Sequence, residues 1–192
     1  MTPIILASGS PRRRQLLEML GMPFRVVVPD VDESLVAGEP PEAYVVRLAR
    51  EKAAAVAARE PGTLVLGADT TVEVRGTVLG KPSSPAEAAA MLSKLQGRTH
   101  HVLTAVALAR DGRIEHALDV TDVAFRHLDK ETIDAYVATG EPMDKAGAYA
   151  VQGKGAVLVD SIRGDFFGVM GLPVRLVIEL LDRFDVPYRF TR

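Results

Sequence analysis

The chain has 192 residues, 47% hydrophobic and 25% charged, with 23 basic against 25 acidic side chains and a formal net charge of −2. That length and mix predict one globular domain, exclude disorder for most of the chain, and supply no global positive field for nucleic acid or an anionic membrane. The absence of cysteine excludes disulfides, thiolate metal sites and a cysteine nucleophile, and no apolar run reaches the roughly 18–20 residues of a membrane span.

The N-terminal MTPIILASGSPRRR has its charges after its short apolar stretch rather than before it, unlike a signal peptide. The expected location is therefore the cytoplasm. Ile4–Ala7 reads as a strand. Ser10-Pro11 then predicts an N-cap and a proline at the first helical position, and Leu16, Leu17 and Leu20 form an apolar stripe stopped by Gly21. Phe24–Val28 reads as a second strand, and Pro41–Arg59 as a long helix ended by Pro61-Gly62. Thr63–Leu66 reads as a buried strand ending at Gly67-Ala68-Asp69. Thr71–Arg75 and Thr77–Leu79 flank Gly76 as a hairpin. A helix over Ala86–Leu95 closes at Gly97. Val102–Ala109 and Ile114–Phe125 flank an Asp111-Gly112 turn as a long antiparallel hairpin. Lys130–Ala138 is helical, Gly147–Val159 is glycine-rich and then strand-like, and Leu172–Phe184 is a closing helix. Strands alternating with helices, mixed with hairpins, predict an α/β fold with a mixed sheet and flanking helices.

Four places carry chemistry that local structure alone does not require. In Ser8-Gly9-Ser10-Pro11-Arg12-Arg13-Arg14, three arginines occupy a first helical turn, which costs about 0.3–1 kcal/mol per exposed charge. A strand, a Ser/Gly turn and a helix N-terminus make an anion site, to which arginine forks add bidentate phosphate contacts. A solvated basic turn is the plainer alternative. Lys52 lies on the apolar stripe of the long helix with Leu48 and Val56, which fits either a snorkelling side chain or a charge aimed at a site. Asp69 follows an apolar strand, the edge at which ligands bind in open α/β sheets, or else it caps a turn. Asp32-Glu33 could bring a second carboxylate to the same edge. Carboxylates beside a basic cluster suit metal-assisted phosphoryl chemistry. Gly80-Lys81-Pro82 is not a Walker motif, because its spacing is short and Pro82 stands where a Ser or Thr should be. His100, His101, His116 and His127 have no zinc spacing and read as structural.

Seven runs in order resemble the Maf family of nucleotide pyrophosphatases. They are Leu6-Ala7-Ser8-Gly9-Ser10-Pro11-Arg12-Arg13, Val31-Asp32-Glu33, Leu48-Ala49-Arg50-Glu51-Lys52-Ala53, Gly67-Ala68-Asp69-Thr70, Gly80-Lys81-Pro82, Asp144–Tyr149 with Gln152-Gly153, and Val169-Met170-Gly171-Leu172-Pro173. The resemblance implies a single domain over residues 1–192 whose two lobes flank a central cleft, similar to the inosine-triphosphate pyrophosphatases. It implies hydrolysis of a nucleoside triphosphate to the monophosphate and diphosphate with a divalent cation, Mg or Mn. On that pattern Asp69 is the catalytic carboxylate, joined by Glu33, Lys52, Lys81, Arg13 and Ser8, and Glu33 and Asp69 hold the metal. Arg12, Thr70 and Gln152 match the branch acting on dTTP and UTP; the branch acting on 7-methylguanosine triphosphate carries Trp, Gln and Glu there. A house-cleaning role toward modified pyrimidine nucleotides, with a link to cell-division arrest, is the implied setting. The expected partner is the nucleotide, with no nucleic acid and no membrane, and a homodimer is left open. The alternative is a non-catalytic nucleotide-binding regulator of septum formation. A nucleic-acid module is disfavoured, since aromatics are 5% of residues and leave no stacking platform.

Overall fold

In the computed structural model, which describes residues 3–190, four apolar residues in a row, buried on both faces, make strand β1 (Ile4–Ala7). Helix α1 (Pro11–Met19) starts on an extended Ser10 with Pro11 fixing the first turn, and Gly21 ends it at φ 64°, a left-handed conformation that suits glycine. Then come β2 (Phe24–Val26), α2 (Pro41–Ala57), β3 (Val65–Val74), β4 (Thr77–Leu79), α3 (Pro85–Leu95), β5 (Thr99–Arg110) and β6 (Arg113–Phe125). The chain closes with α4 (Lys130–Ala138), β7 (Val159–Arg163), α5 (Phe166–Met170) and α6 (Val174–Arg183). The seven strands form one sheet in the order β2-β1-β3-β5-β6-β7, with β4 paired to β3. The sheet is mixed: β1 is parallel to β2 and β3, whereas β3/β4 and β6/β7 are antiparallel.

Two segments differ from the sequence expectation. Gly67-Ala68-Asp69 does not end a strand; β3 runs unbroken from Val65 to Val74, so Asp69 sits mid-strand rather than at a carboxyl end. Gly67 pairs with Ala7 and is needed for its lack of a side chain, not for a turn. A Cβ there would lie 2.4 Å from the Ala49 carbonyl oxygen and 2.7 Å from the Ala53 nitrogen, so α2 packs its backbone directly on β3. The second segment is Gly147–Val159. Its strand starts only at Val159, because residues 146–148 and 154–158 form 3₁₀ turns. Gly147 has φ 68° and its N–H donates to the Gly80 carbonyl at 3.1 Å, so it cannot join a ladder there. Helix α5 was also not legible, and β2 and α2 end two residues early.

The contacts divide the chain into two units. The first holds the chain up to Asp69, Thr104–Asp119, and the chain from Gly171 on; the second holds Thr70–Leu103 and Val120–Met170. Strands β3, β5 and β6 contribute to both. In the first, Ile5, Ala7, Val56 and Val65 pack with Val27 and Ala57, and Phe184 is buried beneath the guanidinium groups of Arg110 and Arg113, 5.5 and 4.6 Å from its ring centroid. In the second, Val72, Val74, Leu92, Leu95, Phe125, Ile133, Tyr149 and Leu158 belong to one core cluster.

That second core encloses a histidine. His100 is 1% exposed, its Nε2 pairs with the Tyr149 hydroxyl at 2.8 Å, and its ring meets Phe125 and Tyr149 edge-on at 5.0 and 5.4 Å. Burial pushes its pKa down to about 4, helped by His101 and opposed by Glu73. The unfolded chain protonates this ring near its ordinary value of roughly 6.5, so neutral His100 favours folding above that pH. The contribution is lost as pH falls through about 4. The whole swing is roughly 3 kcal/mol. In His100→Gln, denaturant unfolding at stepped pH should show a flatter loss of stability between these limits than the parent chain.

Candidate active site

Five polar and charged residues of the first unit, Ser8, Arg13, Glu33, Lys52 and Asp69, gather around β1, α1, α2 and β3. Strand β1 ends at Ala7, and Ser8 leads into α1. Of the three arginines opening α1, Arg13 alone is buried; Arg12 is half-buried and Arg14 exposed. Arg13 Nε donates to the Gly171 carbonyl at 2.8 Å, and Nη1 donates to the Ala68 carbonyl at 2.9 Å and to Ser8 Oγ at 3.0 Å. Ser8 Oγ also accepts from the Ser10 N–H at 3.2 Å. With two acceptances made, its own O–H is left as a donor. Burial pulls the Arg13 pKa below its ordinary value and neighbouring Arg12 adds to this, while Asp69 and Glu33 favour its charge.

Lys52 is the centre of the cluster. It lies on the buried stripe of α2 with Leu48 and Val56 and is 7% exposed. Its Nζ is 2.7 Å from Asp69 Oδ1 and 2.6 Å from Glu33 Oε1. The stripe position thus delivers a buried ammonium to two carboxylates rather than a chain snorkelling to the rim. Asp69 is buried while Glu33 is exposed. Burial raises the Asp69 pKa above its ordinary value; Lys52 and Arg13 pull it down without cancelling that effect, and Glu33 adds to the rise.

Glu33 sits in a segment without helix or strand, and two α2 side chains hold it. The Tyr44 hydroxyl donates to the Glu33 carbonyl at 2.9 Å. Arg47 grips both carboxylate oxygens of Glu39 at 2.7 and 2.8 Å and donates to the Ser34 carbonyl at 3.0 Å. Glu39 raises the Arg47 pKa through that fork. Neither Tyr44 nor Arg47 was legible as a site residue, since nothing local in the helix distinguishes them from solvated positions.

The structure therefore brings together Ser8, Arg13, Glu33, Lys52 and Asp69, with Arg12 on the same helical turn as Arg13. Thr70, Lys81 and Gln152 belong to the second unit. Thr70 follows Asp69 on β3 and is half-buried; Lys81 is exposed just after β4; Gln152 is exposed in the loop before the second 3₁₀ turn. Among the described residues no group of three or more histidine, aspartate or glutamate side chains forms a ready metal cage. Two hard carboxylates joined through one lysine still suit magnesium, which commonly takes one or two protein carboxylates and completes its shell with substrate phosphates and water.

The family profile described as Maf-like protein matches residues 3–184. A protein of Moorella thermoacetica named dTTP/UTP pyrophosphatase is 55% identical over 190 residues, covering 97% of each chain. One of the same name from Symbiobacterium thermophilum is 52% identical over 187 residues, covering 97% of this chain and 96% of its own. A Bacillus cereus protein, also so named, is 47% identical over 186 residues, covering 97% of each. Among solved structures, the Staphylococcus aureus Ham1 protein shares the fold, with a TM-score of 0.52 at 17% identity, covering 95% of this chain and 97% of that one.

The close packing at Gly67 is what lets Lys52 reach Asp69. Gly67→Ala puts a methyl into the backbone of α2, and overpacking of this kind costs roughly 1–3 kcal/mol or more. Thermal unfolding should show the loss, and turnover should fall with it as the helix carrying Lys52 shifts.

Proposed function

The chain belongs to the Maf-like protein family, and on that premise we propose that it is a nucleoside triphosphate pyrophosphatase acting on dTTP and UTP. The observation that carries this reading is the Lys52 ammonium in contact with both Asp69 and Glu33, beside the anchored Arg13. A protein that only bound a triphosphate would gain nothing from two carboxylates next to its phosphates.

In the proposed reaction a water attacks the α-phosphorus of the nucleotide. Its proton passes to Asp69, the bond from the α-phosphorus to the bridging oxygen breaks, and diphosphate leaves. A base works best with a pKa near the working pH, and burial moves Asp69 upward in that direction. Lys52 keeps Asp69 ionised and oriented, and holds Glu33 beside it. Arg13 brings its positive charge and Ser8 an O–H donor to the phosphate oxygens, with Lys81 assigned to the same task. Glu33 and Asp69 would hold a divalent cation, Mg or Mn, which when bound neutralises charge on the phosphates. Arg12, Thr70 and Gln152 are assigned to base choice. Gln152 carries a donor and an acceptor, which suits the O4 and N3–H edge of uracil and thymine. Acceptance of both bases implies room at C5, so 5-substituted uridine nucleotides would enter too, in keeping with a house-cleaning role. The setting is cytoplasmic, among free nucleotides: the net charge of −2 gives no hold on nucleic acid, and no described helix is long and apolar enough to cross a membrane.

A turnover screen of canonical and modified triphosphates with magnesium or manganese tests the reading. Diphosphate and the monophosphate should appear, with dTTP and UTP ahead of dCTP and the purines. Release of orthophosphate and a nucleoside diphosphate would overturn it. Asp69→Asn should cost at least about 10²-fold in kcat with the fold retained, and some melting temperature as well, since it removes one of the two carboxylates paired with buried Lys52.

The pH profile supplies a separate check. Lys52 favours the ionised form of Asp69, so removing its charge raises the Asp69 pKa further. In Lys52→Met the acid limb of kcat/KM should move to higher pH, in addition to a fall in the plateau. An acid limb that stays in place would assign the titrating base elsewhere.

A further inference from the structure

The second unit contains a half-buried carboxylate that the proposed chemistry does not use. Glu141 opens the turn after α4. Its Oε1 accepts from the Tyr136 hydroxyl at 2.9 Å and from the Gly155 N–H at 2.9 Å, and its Oε2 accepts from the Lys154 N–H at 3.0 Å. The Tyr136 oxygen in turn accepts from the Ala150 N–H at 3.2 Å. Lys145 Nζ donates to the Glu141 carbonyl at 3.2 Å, which fixes the turn itself. Burial alone would raise the Glu141 pKa; the two backbone N–H bonds, the tyrosine and Lys145 outweigh it and hold the group below the usual glutamate range. Burial and the Glu141 contact together raise Tyr136, so the phenol stays protonated as the donor of that bond.

These contacts close around one short loop. The N–H groups of Ala150, Lys154 and Gly155 point at the Tyr136–Glu141 pair, and that of Gly153 returns to the Ala150 carbonyl at 3.2 Å. Val151 is buried, and Gln152 is exposed. Two glycines make the fit possible. A Cβ on Gly153 would sit 2.4 Å from Glu141 Oε2, and one on Gly155 would sit 2.6 Å from the Tyr136 oxygen and 2.7 Å from the Ala150 carbonyl oxygen. The loop is bonded on both sides of Gln152, which with Lys154 is one of its two exposed long polar side chains.

We propose that Glu141, acting with Tyr136, is a positioning residue for base choice, holding the 150–155 loop so that Gln152 meets the base in one orientation. This rests on the reading of Gln152 as a base-selecting residue. The chemistry requires such a device. A side-chain amide turned by half a rotation exchanges its donor and acceptor, and so would suit the reversed edge of cytosine as well as that of uracil. Discrimination therefore needs a neighbouring group to hold the amide in one of its two states, and such a group can do so only if the backbone that carries Gln152 stands in one place. A carboxylate suits that task, because it offers acceptors only and can serve three donors at once. In Glu141→Gln one oxygen becomes an NH₂ group, which must face an N–H or O–H donor and break at least one of the three bonds.

The experiment is kcat/KM for dTTP, UTP and dCTP in the parent chain, Glu141→Gln, Tyr136→Phe and Gln152→Glu, with melting temperatures alongside. Glu141→Gln should narrow the dTTP-to-dCTP ratio by about tenfold, with the loss on dTTP carried by KM more than by kcat, and Tyr136→Phe should narrow it less. Should Glu141→Gln fail to fold, Gly153→Ala keeps every polar group, crowds Oε2, and should narrow the same ratio. If Gln152→Glu alters the ratio and Glu141→Gln lowers only the melting temperature or slows all three substrates equally, the positioning role is overturned while the reading of Gln152 stands. If neither variant alters the ratio, the reading of Gln152 fails and the proposal falls with it.

Discussion

A lysine ammonium taken out of water between two carboxylates is the constraint around which the first unit is organised. Such a group costs several kcal/mol to bury and is tolerated only when its partners are in place. Asp69 and Glu33 supply those partners at 2.7 and 2.6 Å. Each partner then makes its own demand. Asp69 must lie close to α2, which the missing side chain at Gly67 allows. Glu33 comes from a segment with no ladder or helix to hold it, so Tyr44 and Arg47 bind that segment to the helix that carries Lys52. Arg13 adds a second buried cation, satisfied by the Gly171 and Ala68 carbonyls and by Ser8.

The same device appears in each unit with opposite sign. In the first, a guanidinium with five donors gathers acceptors: the Glu39 carboxylate and the Ser34 carbonyl. In the second, the Glu141 carboxylate gathers donors: a phenol and two backbone N–H groups. Both tie an irregular segment to a helix, through charge-assisted bonds that are stronger than neutral ones. Core packing positions elements; these bonds position the residues between them.

Most elements were legible because their periodicity is local. The proline and stripe of α1, the Asp111-Gly112 turn, and the span Lys130–Ala138 were read correctly from neighbours a few residues apart. The errors have a common cause. Gly67-Ala68-Asp69 looked like the end of a strand because glycine followed by aspartate is turn chemistry; the glycine instead answers to Ala49 and Ala53, about fifteen residues away in sequence. Gly147–Val159 looked partly strand-like, and its backbone donors turned out to be claimed by the Glu141 carboxylate and by a carbonyl at Gly80. Arg47 and Glu141 are not legible as loop anchors for the same reason.

By itself the sequence determined the class of the fold, the order of most of its elements, and the types of side chain available, since these follow from local pattern and from residue identity. It also determined the family, through seven short runs no one of which is distinctive alone. Only the tertiary structure decided that Lys52 is paired rather than snorkelling, that Arg13 is anchored while Arg14 is exposed, and that Asp69 stands mid-strand. Each of these turns on a contact between residues far apart in the chain. Burial and charge pairing are properties of such contacts, and no spacing along one segment encodes them.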